Sequence, residues 1–297
     1  MAEPKVSVII PTWNGLPDTL ECLRSLQNHD YPFLHIVVVD NGSRDGTPER
    51  VREEFPEIDL MGNRRNLGFA RACNTGARRA LERGADYLMF LNNDATVDPG
   101  CVRELVAVAG ERSDIGVVAV LARHAGDLSQ IEAGHVVDWR TANIREVLAP
   151  AGETRAVPVD YAWGCGLLVP AGLFRCLEGF KEVYGSYYED ADFCIRAARM
   201  GYQTAIATRA TIQHKVSRSG DRAFLRQTYL RARNLLLFFL MNCPRKYLVT
   251  ALPICAGYRV PRFLYDSLHL YLAHRLRGRF PERSIALVER RSNRRTG

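Results

Sequence analysis

The chain has 297 residues, 47% hydrophobic and 25% charged, a balance that suits one large α/β domain or two smaller ones and excludes disordered and fibrous classes. Eight cysteines are scattered along it with no Cys-x-x-Cys pair and no leading signal-peptide pattern, which argues against a zinc site and for small buried hydrophobes in a reducing compartment. The net charge of +7 is uneven: residues 222–297 carry 16 Lys and Arg against 3 Asp and Glu, leaving the first 221 residues at −6, a split that points to an interaction surface on the C-terminal region for which an anionic membrane and a nucleic acid are the two candidates.

Residues 6–11 (VSVIIP) form a short apolar run with β-branched side chains, closed by a polar turn, which reads as a buried strand. Leu20, Leu23 and Leu26 recur near helical spacing and predict a helix over 18–27. A second buried strand follows at 35–40 (HIVVVD) and ends in the turn-rich stretch 41–47. The pattern then predicts a helix over 49–55, a strand over 58–61, a helix over 69–81 and a strand over 87–92, with Pro99 opening another helix. Strands and helices alternating at this length imply a parallel sheet covered on both faces. Ligands of such sheets lie beyond the carboxyl ends of the strands. The polar residues to watch there are Thr12 and Asn14, Asp40, and Asn92 to Asp94. Taken singly, each cluster reads as a turn or a helix cap, for which Asp and Asn are well suited.

The second half is less regular. Residues 131–148 read as strands or a hairpin, and 164–170 (GCGLLVP) as a strand followed by a helix and the aromatic stretch 184–188. Phe193, Ala197 and Met200 share one face of a helix over 190–200 that Gly201 stops, and 203–207 returns as a strand. From Ala223 the composition changes. The apolar runs 235–241 and 247–257 are both shorter than the roughly 20 residues a membrane span requires. Beyond them, arginines from Arg259 to Arg279 are interleaved with leucines and aromatics such as Tyr258, Phe263 and Leu268. Two readings stay open: an amphipathic helix lying in an anionic membrane interface, or a helical cap on the body with a basic solvent face. No nucleic-acid reading module is recognisable, so nucleic acid is not the expected partner.

Six segments in order carry a resemblance: VSVIIPTWNG (6–15), IVVVDNGSRDGT (36–47), NLGFARACNTGA (66–77), YLMFLNNDATVD (87–98), EDADFCIRAARMGY (189–202) and TIQHKVSRSG (211–220). Together they resemble a family 2 glycosyltransferase of the GT-A fold, closest to the bacterial rhamnosyltransferase-like branch. RNLLLFFLMN (233–242) is similar to the start of that branch's tail. The resemblance implies an α/β nucleotide-diphospho-sugar transferase with a Rossmann-like mixed sheet. It implies a GT-A domain over 1–221, with a donor half to about residue 120 and an acceptor half after it, and a basic amphipathic helical region over 222–297.

The same resemblance distributes the work. It places donor contacts at Pro11, Thr12, Asn14, Asp40, Asn66, Gly68, Arg71, Asn92, Asn93 and Asp94. A divalent cation, Mg²⁺ or Mn²⁺, is expected on Asp94 and His214, since hard ions take oxygen-rich sites shared with phosphates. The family's Asp-x-Asp motif is reduced here to Asn92-Asn93-Asp94, with one carboxylate. Asp190 matches the general base, with Glu189 and Asp192 orienting base or acceptor. Trp163 and Gly164, just before a strand, read either as an acceptor-side wall on which a sugar face could stack or as simple core packing. For Asp190 the competing role is a helix cap. One base with no protein nucleophile implies a single displacement and inversion. The expected donor is a UDP- or dTDP-sugar, dTDP-rhamnose first, and the acceptor a glycan or lipid-linked precursor at the cytoplasmic face of the cell membrane. A catalytically inactive scaffold recruited through the basic tail is the alternative. No Gly-x-Gly-x-x-Gly follows the first strand, and the Gln-x-x-Arg-Trp motif of processive relatives is missing, which favours addition of single sugars.

Overall fold

The computed structural model describes residues 3–124, 127–132, 134–147, 154–215 and 221–277. In chain order the first half runs β1 (Val6–Thr12), α1 (Leu16–Gln27), β2 (Leu34–Asp40), α2 (Thr47–Glu54), β3 (Asp59–Gly62), α3 (Phe69–Glu82), β4 (Tyr87–Leu91), β5 (Ala95–Val97) and α4 (Cys101–Glu111). There follow β6 (Ile115–His124), β7 (Asp127–Glu132), β8 (Gly134–Asp138), β9 (Asn143–Val147), β10 (Ala156–Val159), β11 (Gly166–Pro170), α5 (Ala171–Cys176), α6 (Glu189–Arg199) and β12 (Gln203–His214). The C-terminal helices are α7 (Asp221–Asn242), α8 (Leu248–Ile254) and α9 (Val260–Arg277). Pro253 sits inside α8, and a π-helical turn, Cys255–Arg259, joins α8 to α9. That is where a proline's missing N–H and ring clash distort a helix.

Ten of the described strands form one sheet in the order β10-β12-β6-β11-β4-β1-β2-β3, with β5 also on β12 and β7 on β6, and β8 and β9 pair separately. The parallel pairing that alternation predicts holds on its N-terminal side, where β1 pairs parallel with β2 and β4 and β2 with β3, and recurs between β6 and β12. β11 enters antiparallel to both β4 and β6, so the sheet as a whole is mixed. β6 and β10 were not expected from the sequence, and β12 runs on to His214 rather than stopping at Ala207. Its register shifts between Ile206 and Thr211, an irregularity that breaks the apolar alternation a strand is recognised by.

β1 is buried along its whole length, which its unbroken apolar sequence requires of a central strand. α1 covers one face with Leu20, Leu23 and Leu26, and α3 covers the other with Ala72, Cys73 and Ala80. Gly76 lets α3 lie close: a Cβ there would stand 2.5 Å from a methyl carbon of Ile9 and 3.0 Å from one of Val39. Any larger residue overpacks this contact, at a cost of about 1–3 kcal/mol.

The chain divides into two compact units, residues 1–134 with 148–215, and 135–147 with 216–297. The hairpin of β8 and β9, placed by sequence in the acceptor half, therefore groups with the C-terminal helices. In that second unit Trp139 at the hairpin tip stacks on Phe238 of α7, ring centroids 5.6 Å apart. Phe224 and Ala232 of α7 pack with Phe263 of α9, and Phe224 stacks on Tyr271. Arg279 and the rest of the basic tail beyond residue 277 lie outside the described residues.

Candidate active site

β1 and β2 are in register from Val6 with Leu34 to Thr12 with Asp40, so both strands end level, beside the end of β4. Asp40, 4% exposed, accepts the backbone N–H groups of Gly42 and Ser43, each at 3.1 Å from Oδ2. The turn role is therefore real, and it fixes the carboxylate at the strand tip. Asn14, in the left-handed region at φ 48°, ties the facing loop on: its Oδ1 accepts Arg44 N–H at 2.8 Å, and its own N–H donates to Ser43 Oγ. Asp45 completes the stitch by accepting the Leu16 and Thr47 amides. Burial alone would raise the Asp45 pKa, but the Thr47 hydroxyl and these amides together hold it below the ordinary carboxylate range.

These two loops and the end of β3 enclose a cleft of about 320 Å³ lined by Trp13, Asn14, Gly42, Arg44, Arg64, Arg65 and Asn66. None of the three arginines takes part in an ion pair among the described residues, so their charges face whatever enters. Sequence reasoning missed Trp13, Arg44, Arg64 and Arg65. Their signal was a basic cluster at strand ends within an otherwise acidic body.

Several expected donor contacts point elsewhere. Pro11 is buried within β1. Thr12 Oγ1 lies 2.7 Å from Thr19 Oγ1, and Asn93 Nδ2 donates to Thr19 at 3.1 Å. Thr12 and Asn93 thus brace α1 from below instead of facing the cleft. A Cβ at Gly15 would stand 2.5 Å from Asn93 Nδ2, so the loop closes directly over this cluster. Arg71 is ion-paired with Glu182 at 2.6 Å, whereas Asn66 lines the cleft while its Oδ1 accepts the N–H of Gly68 at 2.9 Å. Asn41, which the sequence did not single out, is buried and links Thr12, Gly68 and Asn63 through its backbone and side-chain amides.

Asp94 and His214 come together although 120 residues separate them. β5 pairs antiparallel with the end of β12, His214 opposite Ala95, and this sets His214 Nε2 3.1 Å from Asp94 Oδ1. Asn92 Nδ2 lies 3.2 Å from the same ring nitrogen, and Lys215 N–H donates to the Asp94 carbonyl. Cys22 approaches the Asn92 carbonyl. Burial first and the Asp94 charge second push its thiol well up, so it stays protonated and serves as packing. Among the described residues no group of three or more His, Cys, Asp or Glu could hold a metal ion alone. Two adjacent ligand atoms about 2.1 Å from an octahedral cation stand about 3.0 Å apart. The Asp94–His214 separation fits one edge of such a site, the remaining ligands coming from substrate and water.

Asp190 opens α6. It is 7% exposed and doubly held: Oδ2 accepts the Gly164 N–H at 2.6 Å and Oδ1 the Ala191 N–H at 2.7 Å. The turn before it contains Tyr187 and Tyr188, both left-handed at φ 72° and 73°. That conformation costs an L-residue about 1–2 kcal/mol, and such strain collects at functional sites. Glu189 is buried beside it; both carboxylates lie near Cys73, whose thiol is pushed well up by burial first and by their charges next. Gly164 thus sits beside Asp190, while Trp163 packs against the core cluster. Asp192 is a correction. Expected at the acceptor, it has no exposed surface and is held by Arg196 Nε at 2.6 Å, the Tyr184 hydroxyl at 3.3 Å and Lys181. Arg196 also donates to the Leu177 and Gly179 carbonyls, so this ion pair braces the loop before α6.

Comparison with known proteins decides the family. Residues 7–163 match glycosyl transferase family 2, and residues 87–276 match glycosyl transferase family group 2. The chain belongs to glycosyl transferase family 2. Similar to this family 2 glycosyltransferase is the N-acetylglucosaminyl-diphospho-decaprenol L-rhamnosyltransferase of Mycobacterium tuberculosis, 27% identical over 72% of this chain and 77% of that protein. So is a low-salt glycan biosynthesis hexosyltransferase of Haloferax volcanii, 24% identical over 90% and 87%. Among solved structures, a mannosyltransferase from Pyrobaculum calidifontis in complex with GDP-Man and Mn²⁺ superposes with a TM-score of 0.64 at 22% identity, covering 98% of this chain and 86% of that one. The mixed α/β architecture of the glycosyltransferase is the GT-A fold, as its motifs imply.

Proposed function

We propose that this glycosyltransferase moves one sugar from a nucleotide-diphospho-sugar to a hydroxyl of a lipid-linked or cell-surface glycan precursor, with inversion at the anomeric carbon. The observation that carries the reading is the pairing of Asp94 with His214 at 3.1 Å, at the strand ends beside the arginine-lined cleft. The nucleoside and diphosphate belong in that cleft, where Trp13 offers a stacking face and Arg44, Arg64 and Arg65 offset phosphate charge. Asp94 and His214 would hold a divalent cation, which when bound supplies Lewis-acid stabilisation of the departing diphosphate. Asp190, oriented by two backbone amides, serves as the base for the acceptor hydroxyl. It takes that proton as the oxygen bonds to the anomeric carbon and the bond to the nucleoside diphosphate breaks. The rhamnosyltransferase relative supports a deoxyhexose such as rhamnose, carried on dTDP or UDP, and a diphospho-polyprenol acceptor.

An acceptor of that kind sits in a membrane, and the C-terminal unit suits the location. No helix among the described residues is long and apolar enough to cross a bilayer. The outward face of α9 nevertheless presents Leu264, Tyr265, Leu268 and Leu272 in a region rich in arginine, so the reading includes peripheral contact with the anionic inner face of the cell membrane.

Isothermal titration with UDP, dTDP, GDP and CMP, with and without Mn²⁺, tests the reaction. Tighter binding of UDP or dTDP with Mn²⁺ is expected, and Asp94→Ala should remove the metal-dependent part. Absence of nucleotide binding under every condition would replace the transferase with the inactive scaffold.

A further inference from the structure

We infer that residues 179–188 form a positioning strap, and that Ser186 in it is the residue through which the donor-side helix α3 sets the place of Asp190. The inference rests on the reading of Asp190 as base.

The first N–H groups of a helix have no partner within it and are usually satisfied by the side chain at the cap. α3 begins after Gly68, which has no side chain to give, and no side-chain cap is made. Its cap arrives from more than a hundred residues away. Phe69 N–H donates to Ser186 Oγ at 3.2 Å, and Ala70 N–H donates to the Gly185 carbonyl at 3.0 Å. A Cβ on Gly68 would stand 2.7 Å from that carbonyl oxygen, so the two backbones meet as closely as only glycine permits.

The contact continues along α3. Arg71 pairs with Glu182, and Asn74 both accepts from Phe180 N–H at 2.9 Å and donates to the Phe180 carbonyl at 2.8 Å. The strap is thus held over several residues of one helix. It passes directly from Ser186 into the two left-handed tyrosines and then into Glu189 and Asp190. On its other side the start of α3 is tied to the nucleoside end of the site: Asn41, next to Asp40, donates from Nδ2 to the Gly68 carbonyl at 3.2 Å. Two hydrogen bonds and short stretches of chain therefore connect the strand tip at Asp40 with Asp190. Ser186 touches neither donor nor acceptor in this scheme. It is a positioning residue, and small misplacement of a reacting group is enough to lower a rate strongly.

Kinetics and hydrogen exchange on Ser186→Ala, Ser186→Thr and Glu182→Gln test it. Ser186→Ala should lower kcat about tenfold while nucleoside diphosphate affinity stays within about twofold, and Ser186→Thr, which keeps the hydroxyl, should restore kcat. Amide exchange in Ser186→Ala should rise at both ends of the contact, at 69–70 and at 187–191. Wild-type kcat in Ser186→Ala, or a loss of nucleotide affinity as large as the loss of kcat, would overturn the strap. Should Asp190→Asn retain turnover, the base assignment falls by itself, and the strap is then decided by exchange: protection unchanged at 187–191 rejects it.

Discussion

At the scale of single residues, the proposed chemistry rests on how Asp190 is held. Both its oxygens accept a backbone N–H, from Gly164 and from Ala191. Asparagine at this position keeps the shape and one acceptor oxygen but cannot take a proton from the acceptor. Asp190→Asn is therefore expected to lower kcat by about 10²–10⁴-fold, with nucleoside diphosphate affinity unchanged by calorimetry, because the cleft proposed for the donor is built from other loops. Turnover near wild type would remove Asp190 as base. Sequence reading singled out this residue, and also Asp40, Asp94 and His214, because each follows a strand or opens a helix in a recognisable motif, and the structure sets Asp94 beside His214. It failed for Asp192 for a geometric reason. Two residues apart on a helix means about 200° of rotation, so Asp190 and Asp192 cannot serve the same cavity, and Asp192 turns to Arg196 instead. Thr12 and Asn93 failed similarly, since proximity to a strand end does not say which face a side chain takes.

At the scale of elements, the junction of α4 with β10 carries a measurable electrostatic contribution. Arg155, just before β10, reaches Glu104 of α4 with both Nε and Nη2, at 2.7 and 2.9 Å. The Arg155 hydrogen bonds, working against burial, hold the Glu104 carboxyl below its ordinary value. A carboxylate depressed in the folded state contributes stability above its unfolded pKa, about 4.3, and that contribution disappears as pH falls through the lower folded value. Arg155 is 38% exposed, so screening limits the contribution. Glu104→Gln should cost about 1 kcal/mol at pH 7, or roughly 3 °C in Tm, and the gap should close in melts below pH 4. An equal gap at pH 7 and pH 3 would mean packing, not charge. β6 carries the apolar, valine-rich run of a buried strand, which the sequence reading passed over, whereas β10 was not legible. β10 is a four-residue piece with Pro158 inside it, which suits only the sheet edge where it lies.

At the scale of the whole molecule, the two units solve burial differently. The first has a continuous core under a ten-stranded sheet. The second has a small cluster around Phe224, Ala232 and Phe263 and leaves the opposite side of α9 apolar: Leu264, Tyr265, Leu268 and Leu272 are each 42–55% exposed. The sequence displayed the mixture of arginine and apolar residues but not which side chains face outward, because that depends on α9 using Phe263 and Ser267 against its neighbours. A half-exposed leucine entering a membrane interface gains about 1 kcal/mol. Replacing both Leu264 and Leu268 with Asp in the full chain should therefore weaken binding to phosphatidylglycerol vesicles by about 2 kcal/mol, roughly 30-fold, in a flotation assay. Wild-type binding should weaken with added salt and be poorer on neutral phosphatidylcholine, since arginine attraction to anionic lipid is screened. Nucleotide binding by the double variant should be unchanged, because every residue assigned to the donor lies in the other unit. Equal flotation of the variant and the wild type would detach this face from the membrane. A dimer in dilute solution that the two substitutions dissociate would assign the face to a second copy of the chain.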